Sequence, residues 1–276
     1  MVVTRLRNAA LLGVILVTAP LRAQEVSEAR VRDAIADGAG GLGQAVAGGS
    51  PLTGPAGTTG GLGHLRLGAA ATFTSIEIED PRRSAGTVDF VLPSGALTAA
   101  LGILGGAGVT GFGSLDVIGR LGTVLPREEI EDSAPLLALG ARIGILQGGA
   151  LLPDVSVTLE RAWVTDLTYG EDDDEVSFSG EVRVLSARAD VSKSFLLATP
   201  YAGVGLDRSE IEADYQIPEE RSTGPGEIRG RIDESGTHAR AYAGVEIALA
   251  LLALSVELGT VDGGGSFAAL GARLGF

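Results

Sequence analysis

The reading turns on Ser266 to Phe276, the run S-F-A-A-L-G-A-R-L-G-F that closes the chain. Ser266, Ala268, Leu270, Ala272, Leu274 and Phe276 share one parity, while Phe267, Ala269, Gly271, Arg273 and Gly275 share the other. Successive side chains of a strand point to opposite faces, so this run offers one apolar face ending in an aromatic and an opposite face with a guanidinium. Hydrocarbon outside and a polar interior would accommodate both faces at once.

Alternation of this kind recurs upstream. From residue 64 onward, ten segments are alternating or apolar: 64–78, 87–103, 109–124, 135–146, 154–169, 175–191, 195–216, 237–249, 252–260 and 266–276. Links after odd-numbered segments are mostly long and polar, at Glu79 to Gly86, Leu125 to Ala134, Gly170 to Asp174 and Ile217 to Gly236, with the short Asp262 to Gly265 as an exception. Links after even-numbered segments are tighter, at Leu104 to Gly108, Ser192 to Ser194 and Ala250 to Leu251, and loosest at Gln147 to Pro153. Long loops outside and short turns in the periplasm are the arrangement of an outer-membrane barrel. An even strand number then places both termini in the periplasm.

The terminal run resembles the closing strand of Gram-negative outer-membrane β-barrels, which typically ends in Phe after alternate apolar positions. The resemblance implies an all-β fold: a single antiparallel transmembrane β-barrel of about ten strands, with eight or twelve also compatible, in the cell outer membrane. It makes Leu270, Leu274 and Phe276 an assembly signal for the outer-membrane assembly machinery, with outer-membrane lipid and lipopolysaccharide as the expected surroundings. It carries no chemistry, and no cofactor or metal is implied.

The rest of the chain fits this class. Met1 to Ala23 combines Arg5 and Arg7, an apolar run from Ala9 to Ala19, Pro20 and small residues before a cut after Ala23, which is a secretory signal peptide. The chain has no Cys, so neither a disulfide nor a lipidated amino terminus supports the exported fold. The 21 basic and 35 acidic residues give a net charge of −14, and loss of residues 1–23 with three Arg leaves 18 against 35. Such a surface repels nucleic acid and anionic lipid. Beyond the signal peptide no run approaches the roughly 18 to 20 apolar residues of a spanning helix. Val245 to Leu258 is interrupted by Glu246, Ser255 and Glu257. The 42 Gly relieve crowding on a tightly curved wall and supply turns.

Between the signal peptide and the barrel of residues 64–276, residues 24–63 do not read as strand. Ser27 to Asp37 predicts a short helix capped by Ser27 and stopped by Gly38, followed by a Gly-rich linker to Gly61. Two placements fit this segment, a plug in the lumen and a solvated periplasmic leader.

Parity assigns the faces. Leu65, Leu67, Phe73, Leu115, Val117, Leu121, Leu139, Ile143, Val155, Val157, Leu159, Val182, Val184, Ala243, Val245, Ile247, Leu254, Val256, Leu270 and Leu274 are expected to face lipid. Arg66, Asp116, Arg120, Arg142, Glu160, Glu181, Arg183, Arg240, Tyr242, Glu246, Glu257 and Arg273 are expected inside, the charged ones as an ion-pair network. An Arg or Lys facing lipid at mid-membrane costs about 2 to 4 kcal/mol, which is the force behind the segregation. Parity breaks at Arg161, beside Glu160, and near Ala187 to Asp190.

Eight strands enclose a space just filled by side chains, whereas 16 to 18 leave a channel, so ten strands with large charged residues inside make a nearly closed barrel. The lumen charge predicts a narrow or gated transport role for small solutes. The alternative is a closed structural or surface-interaction barrel that displays the Ile217 to Gly236 loop. No enzyme is expected. His64 and His238, the two histidines, fall at opposite ends of the barrel, and Ser235 with Asp233 and Glu234 near His238 reads as solvated loop. Gly170-Glu-Asp-Asp-Asp-Glu175 lacks the spaced oxygens and Gly hinge of a calcium loop. Only twelve aromatics occur, and Trp163, Tyr169, Phe73, Tyr215 and Phe90 make a thin girdle. A water-soluble β-sandwich or small barrel uses the same alternation turned inside out. The signal peptide, the terminal Phe, the loop asymmetry and the scarcity of core aromatics favour the membrane barrel.

Overall fold

The computed structural model describes residues 28–49, 51, 54–79, 87–108, 110–125, 133–148, 152–169, 177–221, 224–262 and 265–275. One helix, α1 (Glu28–Ala47), precedes ten strands: β1 (Leu65–Glu79), β2 (Thr87–Leu104), β3 (Ser114–Val124), β4 (Ala134–Leu146), β5 (Asp154–Tyr169), β6 (Ser177–Ser192), β7 (Ala198–Arg221), β8 (Gly224–Leu249), β9 (Leu252–Val261) and β10 (Gly265–Gly275). Each strand pairs antiparallel with its neighbours in sequence, and β1 closes on β10 from Arg66↔Gly275 to Ser75↔Ser266. A closed ladder leaves no unpaired edge, the condition for a sheet to cross a bilayer. No helix among the described residues is long and apolar enough to cross one.

The choice between lipid and water outside is made by the wall itself. Along β9, Leu254, Val256 and Leu258 are exposed, the last at 63%, while Ser255 and Glu257 between them are buried. Leu137, Leu139, Ile143, Val157, Leu159, Val204, Leu206, Ile247 and Leu270 continue this exposed band around the molecule. No water-soluble surface carries an apolar belt of this extent. At 10 and 11 residues, β9 and β10 match the roughly 9 to 11 that a tilted strand needs to cross.

Two strands are far longer than a crossing requires. β7 has 24 residues and β8 has 26, paired without a break from Ala198↔Ile247 to Arg221↔Gly224. The predicted Ile217 to Gly236 loop is therefore a correction: it is the upper part of a hairpin, and Asp233, Glu234 and Ser235 lie within a strand. Its polarity suggested a loop because Arg229, Arg231 and Asp233 are exposed on its outward row, yet Ile232 is buried on the inward row beside Ile211 and Tyr215 of the facing strand.

The same cause corrects the faces of β6. Val182 and Val184, expected to face lipid, are buried inside at 2% and 1%, whereas the expected lumen residues Glu181 and Arg183 lie on the outer face. Above the bilayer the exterior meets water, so the apolar parity turns inward and the charged parity outward. The crossover lies between Arg183 and Leu185 on β6 and between Leu206 and Arg208 on β7, positions adjacent through the Leu185↔Arg208 pair. Arg161 pairs with Leu185 at this level and lies over the Trp163 ring at 5.6 Å, a boundary position for a cation and an indole. No parity flip occurs at Ala187 to Asp190: Ser186, Arg188, Asp190 and Ser192 continue the inward row.

The helix is also longer than predicted. It runs through Gly38 to Ala47 and ends at Gly48, whose φ of 67° and N–H bond to Gln44 O at 2.8 Å form its carboxyl-terminal cap. Glycine disfavours a free helix by about 1 kcal/mol each, but most helix stability in proteins comes from packing. A slim helix is what this lumen admits. A Cβ on Gly41 would lie 2.6 Å from Ile76 Cγ1, and one on Gly40 would lie 2.9 Å from His238 Nδ1. Ala39, Ala45, Val46 and Ala47 pack with Ile76, Leu92, Val124, Leu136, Val164, Val182, Val184 and Ile211 in an apolar core within the outer half of the barrel. The predicted Ser27 cap, the signal peptide, the Glu171 to Glu175 acidic cluster and Phe276 lie outside the described residues.

Candidate functional site in the barrel lumen

Below the apolar core, inward arginines grip a charge-free stretch of chain. Residues 38–49 read G-A-G-G-L-G-Q-A-V-A-G-G, with Gln44 as their one polar side chain. Arg240 donates from Nη1 to Gln44 Oε1 at 2.8 Å and to Gly48 O at 2.9 Å, and from Nη2 to Ser186 Oγ at 2.8 Å. Its Nε lies 3.3 Å from Asp207 Oδ2. Arg120 Nη2 donates to Val46 O at 2.9 Å and to Glu160 Oε1 at 2.7 Å. Ser94 Oγ donates to Ala45 O at 3.0 Å.

The chain after the helix is held in the same manner. Arg142 Nη1 donates to Pro55 O and Gly57 O, each at 3.2 Å, and Nη2 to Gly54 O at 3.4 Å. Arg66 Nη1 reaches Gly57 O at 3.1 Å. The Thr59 hydroxyl and N–H donate to Asp116 at 2.7 and 3.0 Å, and Thr58 N–H donates to Gln147 Oε1 at 2.9 Å. Irregular backbone inside a barrel exposes carbonyls that no ladder satisfies, and buried guanidiniums supply the missing donors. Glycines in the segment let those guanidiniums approach the chain closely.

Arg66, Asp116, Arg120, Arg142, Glu160, Arg240, Glu246, Glu257 and Arg273 thus line the lumen, and Arg273 pairs with Glu246 through Nε and Nη2. Leu270 and Leu274 stand on the lipid face. Sequence reasoning missed three inward charges, Arg188, Asp190 and Asp207, all buried. Asp190 accepts from the Tyr242 hydroxyl at 2.5 Å. An unbroken count of alternate residues from Ser192 upward would have found Arg188 and Asp190; the inverted parity at Glu181 to Val184 obscured it.

His238 faces inward with Nδ1 3.4 Å from Asp262 Oδ1, while Ser235 is on the opposite parity, so that pair builds no hydrolytic site. His64 stands at the inner rim with Nδ1 3.3 Å from Gly61 O. Of the predicted girdle, Trp163 and Phe73 are on the outer wall and Tyr215 is buried in the lumen. Tyr201, Tyr242 and Phe267 form a second inward cluster with Val261. Among the described side chains, these three aromatics and Tyr215 are inside and Phe73, Phe112, Trp163 and Phe195 are outside, while the side chains of Phe90 and Tyr169 lie outside the described residues.

A closed antiparallel wall with an apolar belt and a polar, filled lumen defines a transmembrane β-barrel of the outer-membrane type, and the outer membrane is its location. No family model and no curated protein matches the chain. Among solved structures it is similar to Neisserial surface protein A, at 11% identity over 78% of this chain and 99% of that one, with a TM-score of 0.36. It is similar to the translocator domain of the autotransporter NalP from Neisseria meningitidis, at 12% identity over 77% and 88%, with a TM-score of 0.40. It is also similar to the outer membrane protease OmpT from Escherichia coli, at 9% identity over 77% and 96%, with a TM-score of 0.38.

Proposed function

We propose that this protein is a closed outer-membrane barrel that displays the β7–β8 hairpin at the cell surface as its interaction element. The observation that carries this reading is the use of the lumen charge. Arg66, Arg120, Arg142 and Arg240 are engaged with the backbone of residues 46–58, so the charge that suggested a solute path is accounted for as plug binding. The hairpin, by contrast, carries an outward mesh in which Arg183 meets Glu181 at 2.7 Å and Glu212 at 3.2 Å, and Arg231 meets Glu212 at 2.5 Å. Exposed pairs of this kind add little stability, which leaves recognition as their use.

The test is electrical and immunological. The full protein in a planar bilayer is expected to show no conductance, and an antibody is expected to reach an epitope placed between Arg221 and Gly224 on intact cells. Steady channels from the full protein would replace this reading with a passage for small solutes. One observation favours that second reading: the plug between residues 38 and 49 carries no charge, which is suited to a segment that leaves and re-enters the lumen. Lipopolysaccharide around the apolar belt, and recognition of Leu270, Leu274 and Phe276 by the assembly machinery, belong to the same proposal.

A further inference from the structure

The filling of the lumen has a direction. β10 serves as a ruler, since it runs from Gly265 at the outer end to Gly275 beside Arg66 at the inner end. A Cβ placed on Gly265 would lie 4.0 Å from Gly41 Cα. Farther down, a Cβ on Gly49 would lie 2.9 Å from Ala269 Cβ, and one on Gly54 would lie 3.1 Å from Arg273 Nε. The β1 wall gives the same order, with Ile76 beside Gly41 and Arg66 bonded to Gly57 O. At the bottom, a Cβ on Gly61 would lie 2.7 Å from Gly105 Cα in the turn after β2. At the top, a Cβ on Gly40 would lie 3.1 Å from Asp262 O at the outer tip of β9. The chain therefore descends from the outer mouth to the inner rim before it turns up into β1.

We propose that α1 is threaded through the barrel with its amino-terminal end outward, so that the turns of α1 that follow Glu28 stand at the outer mouth and are presented on the cell surface beside the β7–β8 hairpin. The dozen residues of α1 before Gly40 rise about 18 Å at 1.5 Å per residue, away from the membrane and alongside the extended strands. Ala36, one turn above Gly40, is already exposed. An even-stranded barrel alone puts both of its own ends in the periplasm, and threading places the amino-terminal end of α1 on the opposite side. The course of the chain is the same whether or not the lumen ever opens.

The absence of Cys from the sequence makes the test clean. Single variants Ala36→Cys, Asp233→Cys in the hairpin and Leu196→Cys in the turn before β7 are expressed in cells and treated with a maleimide on a polymer too large to cross the outer membrane. Ala36→Cys is expected to label on intact cells to the extent of Asp233→Cys, and Leu196→Cys only after the envelope is broken. Labelling of Ala36→Cys that follows Leu196→Cys overturns the proposal. Two disulfide pairs fix the direction independently should Ala36→Cys fail to fold. Gly43→Cys with Ser209→Cys joins positions whose Cβ atoms would lie 3.3 Å apart near the top, and Gly49→Cys with Ala269→Cys joins positions 2.9 Å apart below it. The first is close to the roughly 3.5 to 4.5 Å of a disulfide, the second closes once the plug backbone shifts away from β10 by a few tenths of an ångström, and both are expected to form in the folded barrel. A folded barrel in which neither closes refutes the threading.

Discussion

The charges of this protein divide by what surrounds them, and their energies should divide likewise. Arg120 and Glu160 meet at 2.7 Å with side chains only 1% and 3% exposed. Removing one partner strands the other in a low-dielectric interior, at a cost of about 3 to 5 kcal/mol, while removing both costs much less. Arg120→Leu is thus expected to lower the urea midpoint of the detergent-folded barrel strongly, and Arg120→Leu with Glu160→Leu to recover part of the loss. Recovery stays partial because Val46 O still loses its donor. Arg183→Ala, which breaks pairs to Glu181 and Glu212 on the water-facing hairpin, should leave the urea midpoint nearly unchanged in the same measurement. Equal effects for the inner and outer arginines would contradict the placement of the boundary between Arg183 and Leu185.

At the scale of strands, the abundance of glycine has a specific use. Gly203 pairs with Tyr242, Gly230 with Tyr215 and Gly244 with Tyr201 across β7 and β8, and in each pair the ring occupies the space that a glycine side chain would need. Gly203→Val is expected to push Tyr242 off Asp190 and to cost about 1 to 3 kcal/mol by overpacking. Gly203→Val with Tyr242→Ala should lose less than the sum of the two single changes, as read by thermal unfolding in detergent. Much of this architecture was legible in the sequence. The ten strands, their order and the lipid face of β9 and β10 follow from a period of two that holds while the outside is hydrocarbon. The faces of Glu181 to Val184 and the strand character of residues 217–236 were not legible, because parity reverses meaning where the wall leaves the bilayer, and no single residue marks that height. The helix beyond Gly38 was hidden for another reason: its glycines are chosen by the width of the lumen, a property of the closed wall and not of the segment.

For the whole molecule, the decisive relation is between the wall and what fills it. Among the described residues the lumen holds Arg66, Arg120, Arg142, Arg188, Arg240 and Arg273 together with Asp116, Glu160, Asp190, Asp207, Glu246 and Glu257, and Asp154 faces Gly57 at the inner rim. The plug satisfies part of this set and carries no charge between residues 38 and 49. Deleting residues 28–59 leaves the Arg120–Glu160, Arg240–Asp207 and Arg273–Glu246 pairs in place on the wall. It frees donors on Arg66 and Arg142 that had bonded to the plug backbone. Water then reaches those donors, and an interior wide enough for a helix becomes a hydrated path. Provided the deleted protein keeps the heat-shifted gel migration of a folded barrel, single-channel recording is expected to show steady conductance absent from the full protein. Because the wall charges nearly balance, ion selectivity should be weak, and Glu160→Gln in the deleted protein should tilt it toward anions. A folded but silent deletion variant would mean that the wall collapses on itself, and that the plug fills a space the barrel does not otherwise hold open.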